Sequence, residues 1–243
     1  MDRLQIIIPC FNEANRFPLE DYSLFLNQST DTNISFLFVN DGSSDNTIEI
    51  LQKLSDQFQQ VTILNLNKNV GKAEAIRQGV LSLQAKQADF IGYFDADLAA
   101  PLNEIENLNN AKKSNQECLF VLGARIKLLG STDIKRNLFR HYIGRIFATI
   151  VGNMLKLPIY DTQCGAKLIR KDVALSIFES PFTSKWLFDV ELLFRVKNQY
   201  EEIENKIIEV PLKKWEDKSG SKIKLSYYFQ APIDLIRIYF RYN

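Results

Sequence analysis

The chain has 243 residues, 46% of them hydrophobic, and its 30 Lys and Arg residues against 29 Asp and Glu residues leave a formal net charge of +1. This length and composition suit one compact α/β domain with a substantial core and exclude a disordered chain. The nearly neutral balance gives no global attraction to nucleic acid, so no nucleic-acid partner is expected.

The first half of the sequence alternates apolar, β-rich runs with amphipathic segments. The apolar runs predict buried strands at 4–9, 34–40, 61–66, 89–95 and 118–124. Helical spacing, with start signals at Ser43, Ser44, Asp45 and Pro101, predicts helices at 47–58, 72–84 and 103–114. The alternation predicts a Rossmann-like α/β fold, a mainly parallel sheet flanked by helices with right-handed crossovers.

The second half has a different pattern and ends in amphipathic helices. A basic helical stretch at 134–157 is followed by a predicted loop at 161–168, a helix around 186–196, a strand at 207–215 and an aromatic segment at 225–242. We find no linker, repeat or low-complexity tract. We therefore expect residues 1–243 to form a single domain, whose pattern changes at about residue 125.

The cysteines and the N-terminal segment bear on the compartment. Cys10, Cys118 and Cys164 are an odd number without metal-ligand spacing, so we expect buried thiols in a reducing compartment. The apolar run before Pro9 is too short for a signal peptide or a membrane span, and the apolar region 143–159 is interrupted by charges and a proline. A cytoplasmic protein is expected, with any membrane contact at the bilayer surface.

Polar residues follow the predicted strands at their carboxyl ends. In parallel sheets, ligands bind beyond these ends. The residues that follow the strands would therefore lie toward one rim and line one nucleotide-sized cleft; they are Glu13, Asp41, Asp95, Asp97 and Arg125.

The segment FDADLAAP places Asp95 and Asp97 directly after a predicted strand. Two carboxylates at positions i and i+2 can converge on a divalent cation, because Mg²⁺ prefers oxygen ligands and keeps waters and phosphate oxygens in its sphere. Taken alone, the pair could equally be a solvated turn at the strand end. We take both aspartates as candidate ligands of Mg²⁺ or Mn²⁺.

Three further segments supply candidate nucleotide contacts. Asp41 lies where a carboxylate could accept the imide N–H of a uracil, and Glu13 could accept ribose hydroxyls or be a solvated loop acid. Gly71 and Lys72 stand at a helix start, where backbone N–H groups and a cation favour an anion. The spacing is not that of a P-loop, so Lys72 is predicted only to lie close to phosphates.

Several of these segments together resemble family 2 glycosyltransferases with a GT-A fold. The resemblance runs from Gln5 to about Tyr239 and rests on an ordered set of segments: IIIPCFNEAN, FVNDGSSDNT, NVGKAEAIRQG, YFDADLAAP, GAR and DTQCGAKL. Within the family, DTQCG combined with KWLFDVELLFR and KKWEDKSGSKIK looks most like dolichyl-phosphate β-glucosyltransferases and their bacterial polyprenyl-phosphate relatives.

The resemblance implies a nucleotide-binding part at about 1–125, an acceptor-binding and membrane-facing part at about 126–243, and roles for individual positions. Residues that hold uridine in the family are matched by Pro9, Phe11, Glu13 and Asp41. Asp95 would lie at the nucleotide and sugar, Asp97 would bind the metal on the diphosphate, and Arg125 would face the donor and acceptor phosphates. Polyprenyl-phosphate mannose synthases often carry a glutamine metal ligand where this chain has Ala99, and this departure weakens a mannose assignment.

A lipid monophosphate acceptor would be an anion already and would need no strong base. Positioning cations then matter more, and Arg125, Arg136 and Arg140 are the candidates for binding it. In family members that glycosylate hydroxyls, a carboxylate near Asp161 or Asp189 acts as base; here these two would orient sugar hydroxyls or arginines. The candidate catalytic residues are therefore Asp97, Arg125 and Asp189.

Two titratable residues receive no catalytic role. Glu191 is expected to be an ordinary solvated acid on an amphipathic helix. His141 has no paired ligands and is expected to be a surface or partly packed side chain.

The aromatic segment 225–242 has the chemistry of an interfacial helix, with tyrosines at headgroup depth and an apolar face inserted. The same stripe could instead pack on the core or form a dimer interface. We expect peripheral association with the cytosolic face of a membrane.

The leading hypothesis is an inverting, metal-dependent hexosyltransferase that moves glucose from UDP-glucose to a polyprenyl phosphate of the dolichyl type. One alternative is a family 2 transferase that adds a sugar to a glycan hydroxyl. Another, from a different class, is a non-catalytic nucleotide-sugar-binding subunit. Retention of both DAD acids and Arg125 argues against the last.

Overall fold

The computed structural model of the protein describes residues 2–28, 33–135, 138–218 and 226–243, with side chains at all of these positions except 138–140 and 226–229. The chain divides into two compact units. The first comprises Met1–Leu98 and Leu168–Glu179, and the second comprises Ala99–Lys167 and Ser180–Asn243.

The described ranges contain nine strands and eight α-helices. The strands are β1 (Leu4–Cys10), β2 (Ile34–Asn40), β3 (Val61–Asn65), β4 (Phe90–Phe94), β5 (Phe120–Ala124), β6 (Asp133–Lys135), β7 (Ala166–Arg170), β8 (Ile207–Pro211) and β9 (Lys214–Glu216). The helices are α1 (Leu19–Gln28), α2 (Thr47–Gln57), α3 (Lys72–Val80), α4 (Glu104–Lys113), α5 (Leu138–Leu155), α6 (Lys171–Ile177), α7 (Phe188–Gln199) and α8 (Ser226–Tyr242).

Seven strands form the main sheet in the order β3-β2-β1-β4-β7-β5-β8, and β6 pairs with β9 in a separate two-stranded sheet. In the first unit β1 pairs in parallel with β2 and β4, and β2 with β3. In the second unit β5 pairs in parallel with β8. The predicted mainly parallel α/β fold is confirmed.

Strands β1 and β2 form the centre of the first unit's core. They are buried at nearly every position, as expected for strands covered on both faces by crossover helices. Helix α3 packs closely on them at Gly79, where a Cβ atom would lie 2.8 Å from the Ile7 Cγ2 and 3.1 Å from the Val39 Cγ2. Packing therefore accounts for this glycine.

The five strands predicted in the first half are all present, but four boundaries drawn from the sequence are wrong. The helical stretch drawn at 134–157 starts too early, because Asp133–Lys135 pair with β9 as strand β6 and α5 begins at Leu138. Helix α3 ends at Val80 instead of 84, because the last turn tightens and the Ser82 N–H bonds the Gly79 carbonyl. The loop drawn at 161–168 ends early, since β7 begins at Ala166. The strand drawn at 207–215 is two strands, β8 and β9, joined where the Leu212 N–H bonds the Ala124 carbonyl.

Gly42 provides a test of how tightly the loop after β2 is built. It has a φ of 61°, and a Cβ atom there would lie 2.5 Å from the backbone N of Asn69. Gly130 has a similar φ of 76° but nothing within 4 Å of its Cβ position. Ala at Gly130 should lower the free energy of unfolding by about 1–2 kcal/mol through backbone strain alone. Gly42→Ala should cost about 2 kcal/mol beyond that, because the loop must move.

Urea unfolding of the two variants and the parent measures this difference. Equal losses in both variants would show that the close approach to Asn69 carries no free energy.

Candidate active site

The first unit gathers its polar loops where β1 and β4 separate. Strand β1 stays paired with β2 as far as Cys10↔Asn40, but its pairing with β4 ends at Ile7↔Tyr93. Pro9, half-buried in the last part of β1, has no N–H to donate to a neighbouring strand. The loops that follow β1 and β4 can therefore diverge while starting at the same edge of the sheet.

Glu13 in the loop after β1 is buried and forms an ion pair with Arg16. The Arg16 Nη2 lies 2.6 Å from Oε1, and its Nε contacts Oε2. The hydrogen bond to Glu13 raises the pKa of Arg16 against the effect of burial, and the charges of Glu13, Asp97 and Asp95 act in the same direction. The structure thus brings Glu13, Arg16, Asp95 and Asp97 into one charged cluster. The ribose contact of Glu13 stays a prediction.

Asp41 lies at the end of β2 and organises the start of α3. It is 3% exposed, and its carboxylate accepts the N–H groups of Val70 at 2.7 Å and Gly71 at 2.9 Å and the side-chain amide of Asn69 at 2.9 Å. These donors hold the turn that leads into α3 and sets the position of Lys72. A contact with uracil, predicted from the sequence, would be an additional role for Asp41.

Asp95 and Asp97 occupy a tight turn directly after β4. The Leu98 N–H bonds the Asp95 carbonyl at 3.3 Å, and Leu98 has a φ of 52°, an uncommon value for a residue other than glycine. Both carboxylates are half-buried, and the Lys72 Nζ contacts Asp95 Oδ1. Such strained turns cluster at functional sites.

The donor set of this turn fits a magnesium-like cation. Two carboxylates suffice when phosphate and water oxygens complete the coordination sphere. Across the residues with described coordinates, no group of three or more His, Cys, Asp and Glu side chains is arranged to hold a metal by itself. Any metal site built on Asp95 and Asp97 would therefore draw its other ligands from a bound molecule or from water.

Two aromatic residues of the first unit are Phe11, in the loop after β1, and Tyr22, on α1. Phe11 is half-buried, and its place beside a nucleotide stays a prediction. Tyr22 is fully buried on α1 and donates to the Ala96 carbonyl at 3.4 Å, between the two acids. Burial raises the pKa of Tyr22, and the charges of Cys10, Asp97 and Asp95 add to the shift. Sequence reasoning did not identify Tyr22, since α1 itself was not predicted.

In the second unit, Arg125 at the end of β5 is clamped by Asp161. The Nε and Nη2 atoms of Arg125 donate to the two carboxylate oxygens at 2.6 and 2.8 Å, and its backbone N–H adds a third bond at 3.1 Å. The guanidinium also lies over the ring of Trp215, with 5.3 Å to its centroid. The two side chains thus form a bidentate pair, and their contacts with acceptor and sugar stay predictions.

The loop that carries Asp161 is held by two residues that the sequence analysis missed. Glu209 on β8 accepts the backbone N–H groups of Tyr160 at 2.8 Å and Asp161 at 2.6 Å, and burial raises the pKa of Glu209. Arg145 on α5 stacks 3.6 Å above the ring of Tyr160 and donates to its carbonyl at 2.6 Å. An acid inside the apolar run IIEVP was the available signal for Glu209.

Asp189, in the first turn of α7, is nearly buried and paired with Lys167. The Lys167 side chain is fully buried, and its Nζ lies 2.7 Å from Asp189 Oδ1 and also donates to the Cys164 carbonyl. Arg136 lies outside the described residues, as does the side chain of Arg140, so their predicted phosphate contacts stay predictions.

The expectation that Glu191 is a solvated acid is wrong. Glu191 is 0% exposed and accepts hydrogen bonds from the Thr183 N–H at 2.8 Å, Arg195 Nη2 at 2.8 Å and the Tyr242 hydroxyl at 2.9 Å. Burial and the bond to Glu191 raise the pKa of Tyr242. This cluster ties α7 to α8.

The aromatic segment at 225–242 overlaps α8, which has one packed and one exposed face. Leu235 and Ile238 are buried, while Ile233, Ile236 and Phe240 are exposed. Packing on the core is therefore part of the role of this segment. The exposed apolar side chains are compatible with both an interfacial helix and a dimer interface. Within the part of the chain that the structure describes, no helix has both the length and the apolar character to cross a membrane.

Comparisons with known proteins follow the same lines. The family described as Glycosyl transferase family 2 matches residues 5–178. A dolichyl-phosphate beta-glucosyltransferase of Trichomonas vaginalis is 33% identical, with 97% of this chain and 71% of the relative covered. That of Saccharomyces cerevisiae is 31% identical, with 92% and 70% covered.

A solved structure supports the fold. Glucosyl-3-phosphoglycerate synthase of Mycobacterium tuberculosis, in complex with Mn²⁺ and UDP-glucose, matches with a TM-score of 0.70 over 98% of this chain and 79% of that chain. At 15% identity the likeness concerns the fold, and the expected GT-A architecture is confirmed.

The buried thiol of Cys164, in the loop after Asp161, should make the free energy of unfolding depend on pH. Burial raises the pKa of its thiol to about 12, and the charge of Asp161 adds to the shift. An exposed thiol has a pKa of about 8.5, so the unfolded chain loses this proton first. The stability that the protonated thiol contributes is complete below about pH 8.5 and is lost as the pH rises toward 12, at up to about 1.4 kcal/mol per pH unit.

Between pH 8.5 and 10 the parent should therefore lose about 2 kcal/mol more free energy of unfolding than Cys164→Ala. Urea unfolding at a series of pH values under reducing conditions measures both curves. Parallel curves would contradict the assignment of this shift to Cys164.

Proposed function

Because the chain belongs to glycosyl transferase family 2 and is a hexosyltransferase, we propose that it transfers glucose from UDP-glucose, with inversion, to a polyprenyl phosphate of the dolichyl type. The observation that carries the substrate class is the 33% identity, over 97% of this chain, to a relative named for glucosyl transfer to dolichyl phosphate. The acids and Lys72 of the first unit suit a metal-bound diphosphate donor, and Arg125 of the second unit suits a phosphate acceptor.

The donor would bind to the charged cluster of the first unit. Asp97, with Asp95, would hold Mg²⁺ or Mn²⁺ on the diphosphate, and such an ion supplies charge stabilisation to a departing phosphate oxygen. Lys72, at the first position of α3, contacts Asp95 and can donate to phosphate oxygens that reach the same turn. Glu13 and Asp41 would serve the nucleoside, Glu13 held by Arg16 and Asp41 by the turn before α3.

The acceptor would bind to the second unit. The Arg125 guanidinium is fixed by Asp161, so it is preorganised to meet an anion. A phosphate monoester carries its own negative charge and attacks without losing a proton to the protein. The commitment of Asp189 Oδ1 to Lys167 supports an orienting role for this carboxylate instead of proton abstraction.

A lipid acceptor requires the protein to work at a membrane surface, and we place two helices of the second unit there. Exposed apolar side chains are spaced by three or four residues on α5 and α8, so each set covers one helical face. They are Tyr142, Ile146 and Ile150 on α5 and Ile233, Ile236 and Phe240 on α8. Peripheral contact with the cytosolic face follows from this proposal.

A panel of nucleotide sugars tests the proposed reaction. With purified protein, Mg²⁺ and polyprenyl phosphate, UDP-glucose should give a lipid product whose mass has increased by one hexose. Asp97→Asn should lower kcat by about 10²–10³-fold, because charge that develops on the leaving group loses its stabilisation. Asp56→Asn, at an exposed position on α2, is the matched control and should leave kcat unchanged.

The other outcomes separate the alternatives. Transfer only to a glycan hydroxyl would reject the proposed lipid acceptor. Transfer only from another nucleotide sugar would reject UDP-glucose as the donor. Binding of UDP-glucose with neither transfer nor hydrolysis would identify a non-catalytic binder.

Vesicle flotation tests the membrane contact. The parent should float with anionic phospholipid vesicles at low salt, and the double variant Ile236→Ser/Phe240→Ser should bind about tenfold or more weakly, because two exposed apolar side chains no longer insert. Leu83→Ser, at a 76% exposed leucine of the first unit, is the control and should bind like the parent. A parent that stays entirely in the aqueous fraction would contradict this proposal.

A further inference from the structure

Lys167 is a fully buried lysine in strand β7, between apolar neighbours. Strand β7 is buried at its first four positions, and the residues beside Lys167 are Ala166 and Leu168, both 0% exposed. Its ammonium lies 2.7 Å from Asp189 Oδ1 and donates to the Cys164 carbonyl. Both contacts lie within the second unit.

Stability gives no reason to place a lysine here. A buried ion pair must recover the large desolvation cost of two charges, and well-packed apolar side chains of similar volume are often as stable or more stable. A methionine at position 167 with a neutral residue at position 189 would fill the same space without any charge. What such a pair does provide is a fixed geometry between the segments it joins.

The segments that Lys167 joins are those that carry the proposed acceptor site. The Cys164 carbonyl belongs to the loop that begins at Asp161, whose carboxylate clamps Arg125. Asp189 belongs to the first turn of α7. One ammonium group therefore fixes the loop behind Asp161 and the carboxylate of Asp189 with respect to each other.

We propose that Lys167 is a positioning residue, which holds Asp189 and the Asp161 loop, and through that loop Arg125, in the arrangement needed by the anionic acceptor. This inference rests on the proposed function. Without the ammonium, the Asp189 carboxylate and the Cys164 carbonyl would lose a buried donor, and both segments would rearrange to find others. A small displacement of groups that orient a substrate can lower turnover by about 10²-fold.

The test is a double-mutant cycle with Lys167→Met and Asp189→Asn, measured well below the thermal midpoint of each variant. Lys167→Met should lower kcat by about 10²-fold while the KM for UDP-glucose stays within about threefold, because the donor residues lie in the first unit. If Lys167 acts through Asp189, the double variant should lose no more kcat than the worse single variant. It should also be more stable than Lys167→Met, since no carboxylate is left without its partner.

Lys112→Met is the matched control, because Lys112 is a buried lysine of the same unit on α4 and should keep the parent kcat. Fold losses that multiply in the double variant, or a Lys167→Met enzyme with the parent kcat, would overturn the proposal.

Hydrogen exchange separates a failure of this inference from a failure of the proposed reaction. Lys167→Met should speed amide exchange at 161–165 and in the first turn of α7, whatever the substrate is, and Lys112→Met should not. If Lys167→Met exchanges faster but the parent transfers no glucose, the structural role of Lys167 is supported and the proposed reaction is rejected. Exchange identical to that of the parent would reject the Lys167 proposal itself.

Discussion

The parallel direction of the strands is the constraint on which the site of the first unit depends. Because β1, β2 and β4 run the same way, the loops that follow them start at one edge of the sheet, and three of these loops carry acids. Carboxylates brought together in this way repel each other unless cations or N–H groups compensate them. The structure shows such partners for three of them: Arg16 binds Glu13, Lys72 contacts Asp95, and backbone N–H groups bind Asp41.

This compensation leaves one short turn with the charges that the proposed diphosphate donor would need. Asp95 and Asp97 remain half-exposed on a strained turn, while Lys72 stands beside them at the start of α3. Negative groups suited to a cation and a positive group suited to phosphate thus lie within one small region. The hydrogen bonds from the N–H groups of Val70 and Gly71 also give Asp41, which was predicted to contact the nucleoside, a structural role in the turn before α3.

The second unit uses more deeply buried pairs. Arg125 with Asp161 and Lys167 with Asp189 are salt bridges of low exposure, and such pairs add little net stability for the desolvation they require. These pairs fix the orientation of the groups they join. The Arg125 guanidinium is held by both oxygens of Asp161, and the Asp189 carboxylate is held by the Lys167 ammonium. An acceptor that carries its own charge needs such orientation more than it needs a base.

Much of this could be predicted from the sequence, and what could not has a physical reason. Strand positions and the acids after them were predicted because buried parallel strands are continuous apolar runs. Helix α1 and strand β7 were missed, since the first has only a weak apolar stripe and the second contains a buried lysine that looks like a surface residue. Glu191, Glu209 and Arg145 could not be placed either, because their roles depend on partners far away along the chain.

The central claim is that the carboxylate of Asp97 binds a divalent cation which in turn binds the diphosphate of the donor. Titration calorimetry of UDP, with Mg²⁺ and with an excess of chelator, measures this directly in the parent and in Asp97→Asn. UDP should bind the parent about tenfold or more tightly with Mg²⁺ than with chelator, and the variant should show little dependence on the metal. Equal affinity of the parent for UDP under both conditions would contradict the account.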